Sequence, residues 1–263
     1  MEINEVFAQY MEHLLAGKRC EAREMIKATL DRGICGRKLI QFVIWPAMVQ
    51  IERLYDEGKI NRLLEHLATR INRMVADQVQ AHLARNPKNG MRILLTCGDG
   101  EREELGAQMI GDLFEAEGWG VWLLGSGIPN DEILELLSKL RPDVLCVYGT
   151  QPVGVPGVRR LIDLVRDIGA YEQMQVMVVG GVFNRAVGLD EEIRADLFAA
   201  DATEAIKTVL EHPVRIPRPD LPQPGRRRKR KAARRPARTR AKSRTRSNAK
   251  VRKSRPRAMA KAS

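Results

Sequence analysis

The hydrophobic pattern of this chain changes its period once, close to residue 90, and this change restricts the possible folds more than any other feature. Before it, apolar residues recur every three or four positions in four stretches, which is typical of amphipathic helices. After it, short apolar runs alternate with helical stretches. The turn-forming segment at 86–90 (NPKNG) separates the two parts. We therefore predict a four-helix bundle over residues 1–85, with Pro46 kinking its third helix, followed by an α/β domain over 91–211.

The α/β part contains five candidate strands, at 92–96, 121–124, 143–148, 175–179 and 197–199. Alternation of this kind favours a parallel five-stranded sheet of flavodoxin-like or Rossmann-like type, with helices on both faces. Ligands of such sheets bind at the carboxyl ends of the strands. The candidate binding loops are therefore 97–103, 125–129, 148–154 and 180–184.

Charge divides the chain in a different place. The sequence has 45 Lys and Arg and 33 Asp and Glu, and residues 226–263 contain 19 of the basic residues and none of the acidic ones. The first 225 residues are thus acidic, with 26 basic against 33 acidic side chains. A Pro-rich segment at 213–225 predicts an extended linker. The segment at 226–263 has no apolar pattern, so we predict that it is disordered.

The basic tail predicts a polyanionic partner. We expect it to contact nucleic acid through counterion release, without sequence specificity. It contains no aromatic residue, so base stacking is not expected. An alternative is a solubilising tail or one weakly attracted to a membrane surface. The candidate contacts are the clustered cations Arg226, Arg227, Arg228, Lys229, Arg230, Lys231, Arg234 and Arg235.

Several classes of protein are disfavoured. The four cysteines form no C-x-x-C pair, so a disulfide framework or a Cys-rich zinc site is not expected. No Ser/His/Asp triad or paired-carboxylate site stands out. The N-terminus lacks the layout of a signal peptide, and the longest apolar run is far shorter than the ~20 residues of a membrane span. We expect a soluble cytoplasmic protein, nucleoid-associated if the tail binds DNA, and without enzymatic activity of its own.

The loop after the first strand (GDGEREE, 98–104) is rich in glycine but is not a phosphate-binding loop. It lacks the G-K-[ST] of a Walker motif and the spacing of G-x-G-x-x-G. The carboxylates of Asp99, Glu101, Glu103 and Glu104 also disfavour an anion. One interpretation is a polar turn whose acidic residues complement a helix N-terminus. Another is a metal ion bound by Asp99, Glu101 and Glu103.

Five segments carry a further pattern: EREELG at 101–106, Leu124-Gly125, Tyr148-Gly149-Thr150, Gly180-Gly181, and a closing RADLFAADA at 194–202. In order and approximate spacing they resemble the motifs of the cobalamin-binding domain family. The resemblance implies a corrinoid cofactor, in its adenosyl or methyl form, lying against this edge of the sheet. The residues placed near it are Asp99, Glu101, Glu103, Gly106, Gly125, Tyr148, Thr150, Gly180 and Gly181.

The helical part extends the resemblance. Corrinoid methyl carriers and light-sensing regulators have a four-helix cap, and the regulators' cap contains W-x9-E-H. Here Tyr55 takes the place of the tryptophan, and Glu65 and His66 follow at the same spacing. The resemblance implies that these three residues cover the upper face of the corrin, with His66 as an upper contact to cobalt. Alternatively, His66 is a partly buried surface histidine of a helix.

Two positions depart from the family pattern. Glu103 stands where the family has the histidine that coordinates cobalt from below, and a carboxylate is a harder ligand than imidazole. Tyr148 stands where the family has a small serine near the slot for the nucleotide tail. A tyrosine ring there is expected to narrow or fill that slot. Together the two changes predict altered or lost cobalamin binding in an unchanged fold.

The sequence therefore supports three hypotheses of function. The first is a non-catalytic sensory or regulatory protein of the corrinoid-binding type, which associates with nucleic acid through its tail. The second is the corrinoid methyl-carrier subunit of a methyltransferase system, which would have a methyltransferase as its partner. The third is a degenerate cobalamin domain that acts as a scaffold.

Overall fold

The N-terminal part of the protein is a helical cap. In the computed structural model, which describes residues 2–216, its helices are α1 (Ile3–Leu15), α2 (Arg19–Asp31), α3 (Gly36–Leu39), α4 (Trp45–Asp56) and α5 (Arg62–Gln80). A π-helical segment, Ile40–Ile44, joins α3 to α4 without a break, so the four predicted helical stretches are confirmed. The disturbance predicted at Pro46 takes the form of this wider turn, because proline has no N–H and its ring crowds the preceding turn.

A buried polar chain crosses the cap core. The Tyr10 hydroxyl donates to Oδ1 of Asn72 at 2.9 Å, and Nδ2 of Asn72 donates to the carbonyl of Ile44 at 3.1 Å. Tyr10 and Asn72 are fully buried, and burial raises the pKa of the Tyr10 hydroxyl far above its usual value. Buried polar groups of this kind are tolerated only when they are hydrogen-bonded. These two hydrogen bonds therefore fix α1 and α5 against the π-helical segment.

The second part is a five-stranded parallel sheet, as predicted. Its strands are β1 (Arg92–Cys97), β2 (Gly120–Leu123), β3 (Val144–Tyr148), β4 (Gln175–Val179) and β5 (Leu197–Ala199), in the order β2-β1-β3-β4-β5. This is the flavodoxin-like order. The connecting helices are α6 (Leu105–Ala116), α7 (Asn130–Leu140), α8 (Val155–Ile168), α9 (Gly181–Arg185), α10 (Leu189–Glu192) and α11 (Ala202–Glu211), with a 3₁₀ turn at Pro152–Gly154.

Successive residues of the strands pack on opposite faces of the sheet. Ile93 and Leu95 of β1 belong to one core cluster with α6, α11 and the cap, whereas Leu94 belongs to another with α7 and α8. This alternation is the period of an extended strand. The cap and one face of the sheet thus share a single hydrophobic core.

The chain after α11 docks on the sheet domain before it leaves the described part. Arg215 donates to Oδ1 of Asp196 at 2.8 Å and to the carbonyl of Glu172 at 3.0 Å. Residues 217–263, which include most of the predicted linker and every candidate nucleic-acid contact from Arg226 to Arg235, lie outside the described residues. Within residues 2–216, no helix combines the length and the apolar character needed to cross a bilayer.

Candidate functional site

The sheet has a topological switch point between β1 and β3. From β1 the chain passes outward to β2, and β3 continues the sheet on the other side. At the carboxyl ends of these strands the N–H of Gly98 donates to the carbonyl of Tyr148 at 2.8 Å, so the two loops begin side by side. Ligands of open α/β sheets bind at such a point. Residues from α4 and α5 of the cap and from both loops line a cavity there.

The first carboxylate of the β1–α6 loop anchors the neighbouring loop. Glu101 is only 7% exposed. It accepts the Thr150 backbone N–H at 2.6 Å and the Thr150 hydroxyl at 2.9 Å. Hydrogen bonds to an ionised carboxylate are stronger than those between neutral groups. Glu101 therefore holds the chain just after β3.

Glu103, at the position of the family's lower histidine, is ion-paired with Arg73 of α5. Its Oε1 also accepts the N–H of Leu105 at 3.1 Å, at the start of α6. Both side chains of the ion pair are about one-third exposed. The carboxylate thus joins the cap to the sheet domain, a connection that the sequence did not predict.

The remaining carboxylates of the loop point to other elements. Glu104 accepts the N–H and the hydroxyl of Ser126, both at 2.7 Å, and these bonds lower its pKa. Asp99 lies against Gly157 of α8, where a Cβ atom on the glycine would be 2.1 Å from Oδ2 of Asp99. Because the carboxylates diverge, the alternative of a metal ion at this loop gains no support. No group of three metal-ligating side chains occurs in the part of the chain that the structure describes.

Tyr148 fills the space beneath the switch point. Its ring is 2% exposed and meets the Trp45 ring edge-on, with 6.5 Å between centroids. A Cβ atom on Gly106 would lie 2.3 Å from Cζ of Tyr148, so the ring rests directly on the first turn of α6. Burial raises the pKa of the Tyr148 hydroxyl well above its usual value. The ring therefore occupies the space between the end of β3 and the first turn of α6.

Above Tyr148 lies a cavity of about 420 Å³, a volume typical of a site for a small ligand. It opens between α4, α5 and the loops that follow β1 and β3. Seven of the twelve predicted cofactor-binding residues line it: Tyr55, Glu65, His66, Glu101, Glu103, Tyr148 and Thr150. These residues, which the sequence pattern selected, are up to 95 positions apart in the chain but line one cavity in the structure.

The cap side of this cavity carries the three residues of the Y-x9-E-H pattern. Asn61 caps the N-terminus of α5, its Oδ1 accepting the N–H of Leu64 at 3.0 Å, and Glu65 and His66 follow in the first turns of the helix. His66 is about half exposed, and its Nε2 lies 3.4 Å from Nε of Arg62 and 3.7 Å from a carboxylate oxygen of Glu65. An accessible imidazole at the cavity edge can meet a ligand that enters there.

The predicted glycines lie outside this cavity. Gly125 has a φ of +74°, and a Cβ atom on it would be 2.7 Å from Oε1 of Glu104. Gly180 has a φ of +121°, and its Cβ would be 2.3 Å from the carbonyl oxygen of Gly149. Backbone conformation and close packing within the chain account for both. Gly181 lines a second cavity of about 280 Å³, which shares Tyr148 with the first.

The sequence did not reveal an ion pair between α4 and α9, which lies beside the two cavities. Glu52 of α4 lines both cavities, and Nη1 of Arg185 in α9 lies 3.3 Å from its carboxylate. Arg185 also donates to the carbonyl of Thr150 at 2.5 Å. Burial raises the pKa of Glu52, and the nearby guanidinium opposes that rise. No local sequence pattern links positions 133 residues apart, which is why this contact was missed.

A helical cap over the switch point of a parallel α/β domain, with a cavity between them, defines a class of capped ligand-binding proteins. Two family models, each described as B12 binding domain, match the chain, one over residues 6–80 and the other over residues 91–210. They correspond to the cap and to the sheet domain. This chain belongs to the cobalamin-binding family with an N-terminal helical cap, and cobalamin is confirmed as its cofactor class.

Several known proteins of similar sequence are named corrinoid proteins. Dimethylamine corrinoid protein 1 of Methanosarcina acetivorans is 23% identical over 195 residues, which cover 72% of this chain and 87% of that protein. The methanol–corrinoid protein of Methanosarcina barkeri is 24% identical over 134 residues, covering 50% of this chain and 51% of that protein. The solved monomethylamine corrinoid protein of M. barkeri superposes with a TM-score of 0.72 at 19% identity, over 80% of this chain and 99% of that one. This last likeness shows the shared fold.

The residues present fit a cobalamin in one region and not in another. The cavity of about 420 Å³ can receive part of a corrin ring, and its polar side chains can hydrogen-bond to the amide groups at the ring edge. The compartment below does not fit a nucleotide tail, because Tyr148 occupies it. Glu103 offers no ring nitrogen to cobalt and is engaged by Arg73. Histidine ligation from below, as in the family pattern, is therefore not available here.

Proposed function

We propose that this chain is a corrinoid-carrying subunit of a methyl-transfer system, which holds the corrinoid in the cavity between cap and sheet and presents it to a partner enzyme. The observation that carries the proposal is the cavity of about 420 Å³ at the switch point, lined by residues from both family domains. The related dimethylamine and methanol–corrinoid proteins support this role over a purely sensory one.

The side chains of the cavity suggest how such a ligand is held. Met48 and Ile51 of α4 give an apolar patch for the corrin face. Arg62, Arg70 and Arg102 line the same cavity and can donate hydrogen bonds to amide carbonyl oxygens at the corrin edge. An apolar surface with a few polar groups that orient the ligand is the usual composition of a ligand site.

Retention of the cofactor tests the proposal. Purified protein is mixed with hydroxocobalamin in the dark and desalted, and the visible spectrum of the protein fraction is recorded. We expect corrin absorbance to elute with the protein. A Thr69→Trp variant places an indole in the cavity and is expected to lose the colour, whereas Ser138→Trp, on the exposed side of α7, is a matched control that keeps it. A wild-type protein without colour contradicts the proposal.

A second candidate function is the scaffold, and the filled compartment favours it. Tyr148 closes the deep slot, and Glu101, Glu103 and Glu104 are all committed to contacts within the chain. The double variant Tyr148→Ser/Glu103→His distinguishes the two candidates. Colour retained only by the double variant indicates a family member that has given up its ligand and keeps the fold.

Association with nucleic acid is a separate part of the predicted regulatory role. Its residues, from Arg226 to Arg235, lie outside the described part, and nothing in the corrinoid relatives bears on them. It stays a prediction that rests on charge alone, and the truncation that tests it is described below.

A further inference from the structure

The compartment between β1, β3 and the start of α6 is closed by one contact. Three atoms of the Tyr148 ring, Cζ, Cε2 and Oη, would lie within 2.4 Å of a Cβ atom on Gly106. Since even a methyl group does not fit between the two residues, no arm of a ligand can pass there. The cavity above therefore ends at the tyrosine ring.

The ring is fixed from several sides. Its backbone is part of β3, in register with Cys97 of β1 and Val179 of β4. Trp45 meets the ring edge-on, and the Met48 sulfur is 4.0 Å from the hydroxyl. A buried side chain of a central strand that is held by α6, Trp45 and Met48 cannot leave its place without disturbing the core around it.

The loop beside the ring is also held. To admit a ligand arm, the chain would have to release Glu101 from Thr150 or Glu103 from Arg73. Both are charge-assisted contacts, and Glu101 is buried, so releasing it from Thr150 would take the shortest hydrogen bonds from a desolvated carboxylate. The closure is thus built from both apolar packing and polar contacts.

From these contacts we propose that the chain binds corrinoids without regard to their nucleotide arm: the corrin lies in the cavity, and the arm stays outside the sheet domain with its base left on the cofactor. This specificity rests on the proposed function, because it presumes that the cavity takes a corrin. Its structural basis is the contact between Tyr148 and Gly106.

The test compares two corrinoids on the full chain by equilibrium dialysis: hydroxocobalamin, and aquocobinamide, which lacks the nucleotide arm. We expect dissociation constants that agree within about threefold, since an arm outside the protein contributes little binding free energy. A preference for cobalamin of about tenfold or more overturns the specificity while leaving the proposed function intact. If neither corrinoid binds, both fail.

A second measurement on the wild type needs no variant. Bound cobalamin is expected to keep the visible band positions of the free cofactor at neutral pH, because its own base remains in place. Bands shifted to those of the base-off form would show that the arm has been displaced, and would refute the proposal.

Variants at position 148 then locate the cause. Tyr148→Ser opens the compartment and is expected to create a preference for cobalamin over cobinamide of about tenfold. Tyr148→Phe keeps the ring and is the matched control, with an unchanged ratio. An unchanged ratio in a folded Tyr148→Ser protein would show that the ring does not set the specificity.

Discussion

Gly106 and Tyr148 are in direct contact across the end of the sheet, with 2.3 Å between Cζ of the tyrosine and the position that a Cβ atom on the glycine would take. The first turn of α6 and the last residue of β3 can approach this closely only because position 106 has no side chain. In this protein, glycine is required at position 106 because any side chain there would clash with the Tyr148 ring.

Gly106→Ala is expected to destabilise the protein by about 1–3 kcal/mol, since neither the buried ring nor the helix can move aside easily. The same substitution at Gly111, also in α6, is the control. A Cβ there would be 3.4 Å from its nearest neighbour, so Ala should be neutral or stabilising through its helix propensity. Urea unfolding measures both.

A double substitution checks the cause of that effect. In a Tyr148→Ser background the clash is absent, so Gly106→Ala should lose most of its cost, giving strong non-additivity. Equal costs in the two backgrounds would mean that the ring is not what forbids a side chain at 106.

The ion pair between Arg73 and Glu103 is expected to couple the cap to the sheet domain. A double-mutant cycle with Arg73→Gln and Glu103→Gln should give a coupling free energy of about 1 kcal/mol at low salt, weaker in 1 M salt. The pair Arg53 and Glu57, at the C-terminal end of α4, is more exposed to solvent, so it is the comparison and should give a smaller coupling. A coupling no larger at 73 and 103 than in this reference pair would contradict a joining role.

Stability should depend on pH through Asp112 of α6. Burial, then the charges of Asp77 and Glu115, raise its pKa to about 7, and its Oδ2 has no hydrogen-bond partner among the described residues. Because the folded pKa lies above the usual 3.8, the native state holds a proton that the unfolded state loses, and stability falls as pH rises from about 4 to about 7.

The variant that removes this proton equilibrium is Asp112→Asn. Between pH 5 and pH 8 the wild type should lose on the order of 1 kcal/mol relative to the variant, a value reduced for partial solvent screening. Thermal unfolding at several pH values measures the difference. Asp77→Asn should move the transition to lower pH, and parallel wild-type and Asp112→Asn profiles would disprove the assignment.

The basic tail should bind DNA in a way that falls steeply with salt. Removing residues 217–263 is expected to abolish retention on immobilised DNA and to leave the thermal midpoint unchanged. The cut follows Arg215 because that residue contacts Asp196. Retention that survives truncation would place DNA binding elsewhere, and retention on anionic vesicles at equal salt would favour the membrane alternative.

Much of the fold could be predicted because each helix and strand depends on the pattern of apolar residues within its own segment. The period near four of Ile71, Val75 and Val79 and the buried runs such as 144–148 each specify one element. The alternation of strands and helices predicted a parallel sheet, and the structure shows the order of its strands. The seven cavity residues came from the resemblance to the cobalamin-binding family, since motif order carries spatial information.

The contacts that the sequence did not predict join distant residues of common types. Nothing near Arg73 marks it as the partner of Glu103, and nothing near Glu52 points to Arg185. Arginines and glutamates are abundant in this chain, so their pairing depends on how cap and sheet dock. Likewise, the resemblance predicted that Tyr148 narrows or fills a slot, but only the structure shows the contacts of its ring with Gly106 and Trp45.

The π-helical segment at Ile40–Ile44 acts as a single extra residue within an otherwise α-helical stretch. A π turn holds more residues than an α turn, so everything after it is rotated by roughly 100° about the helix axis. This rotation determines which side chains of α4 face the cavity, namely Met48, Ile51, Glu52 and Tyr55. Deleting a residue at 40–44 would rotate α4 back by the same angle, so that the helix would present other side chains to the cavity. At this turn an insertion or deletion, rather than a substitution, can therefore change what the protein recognises.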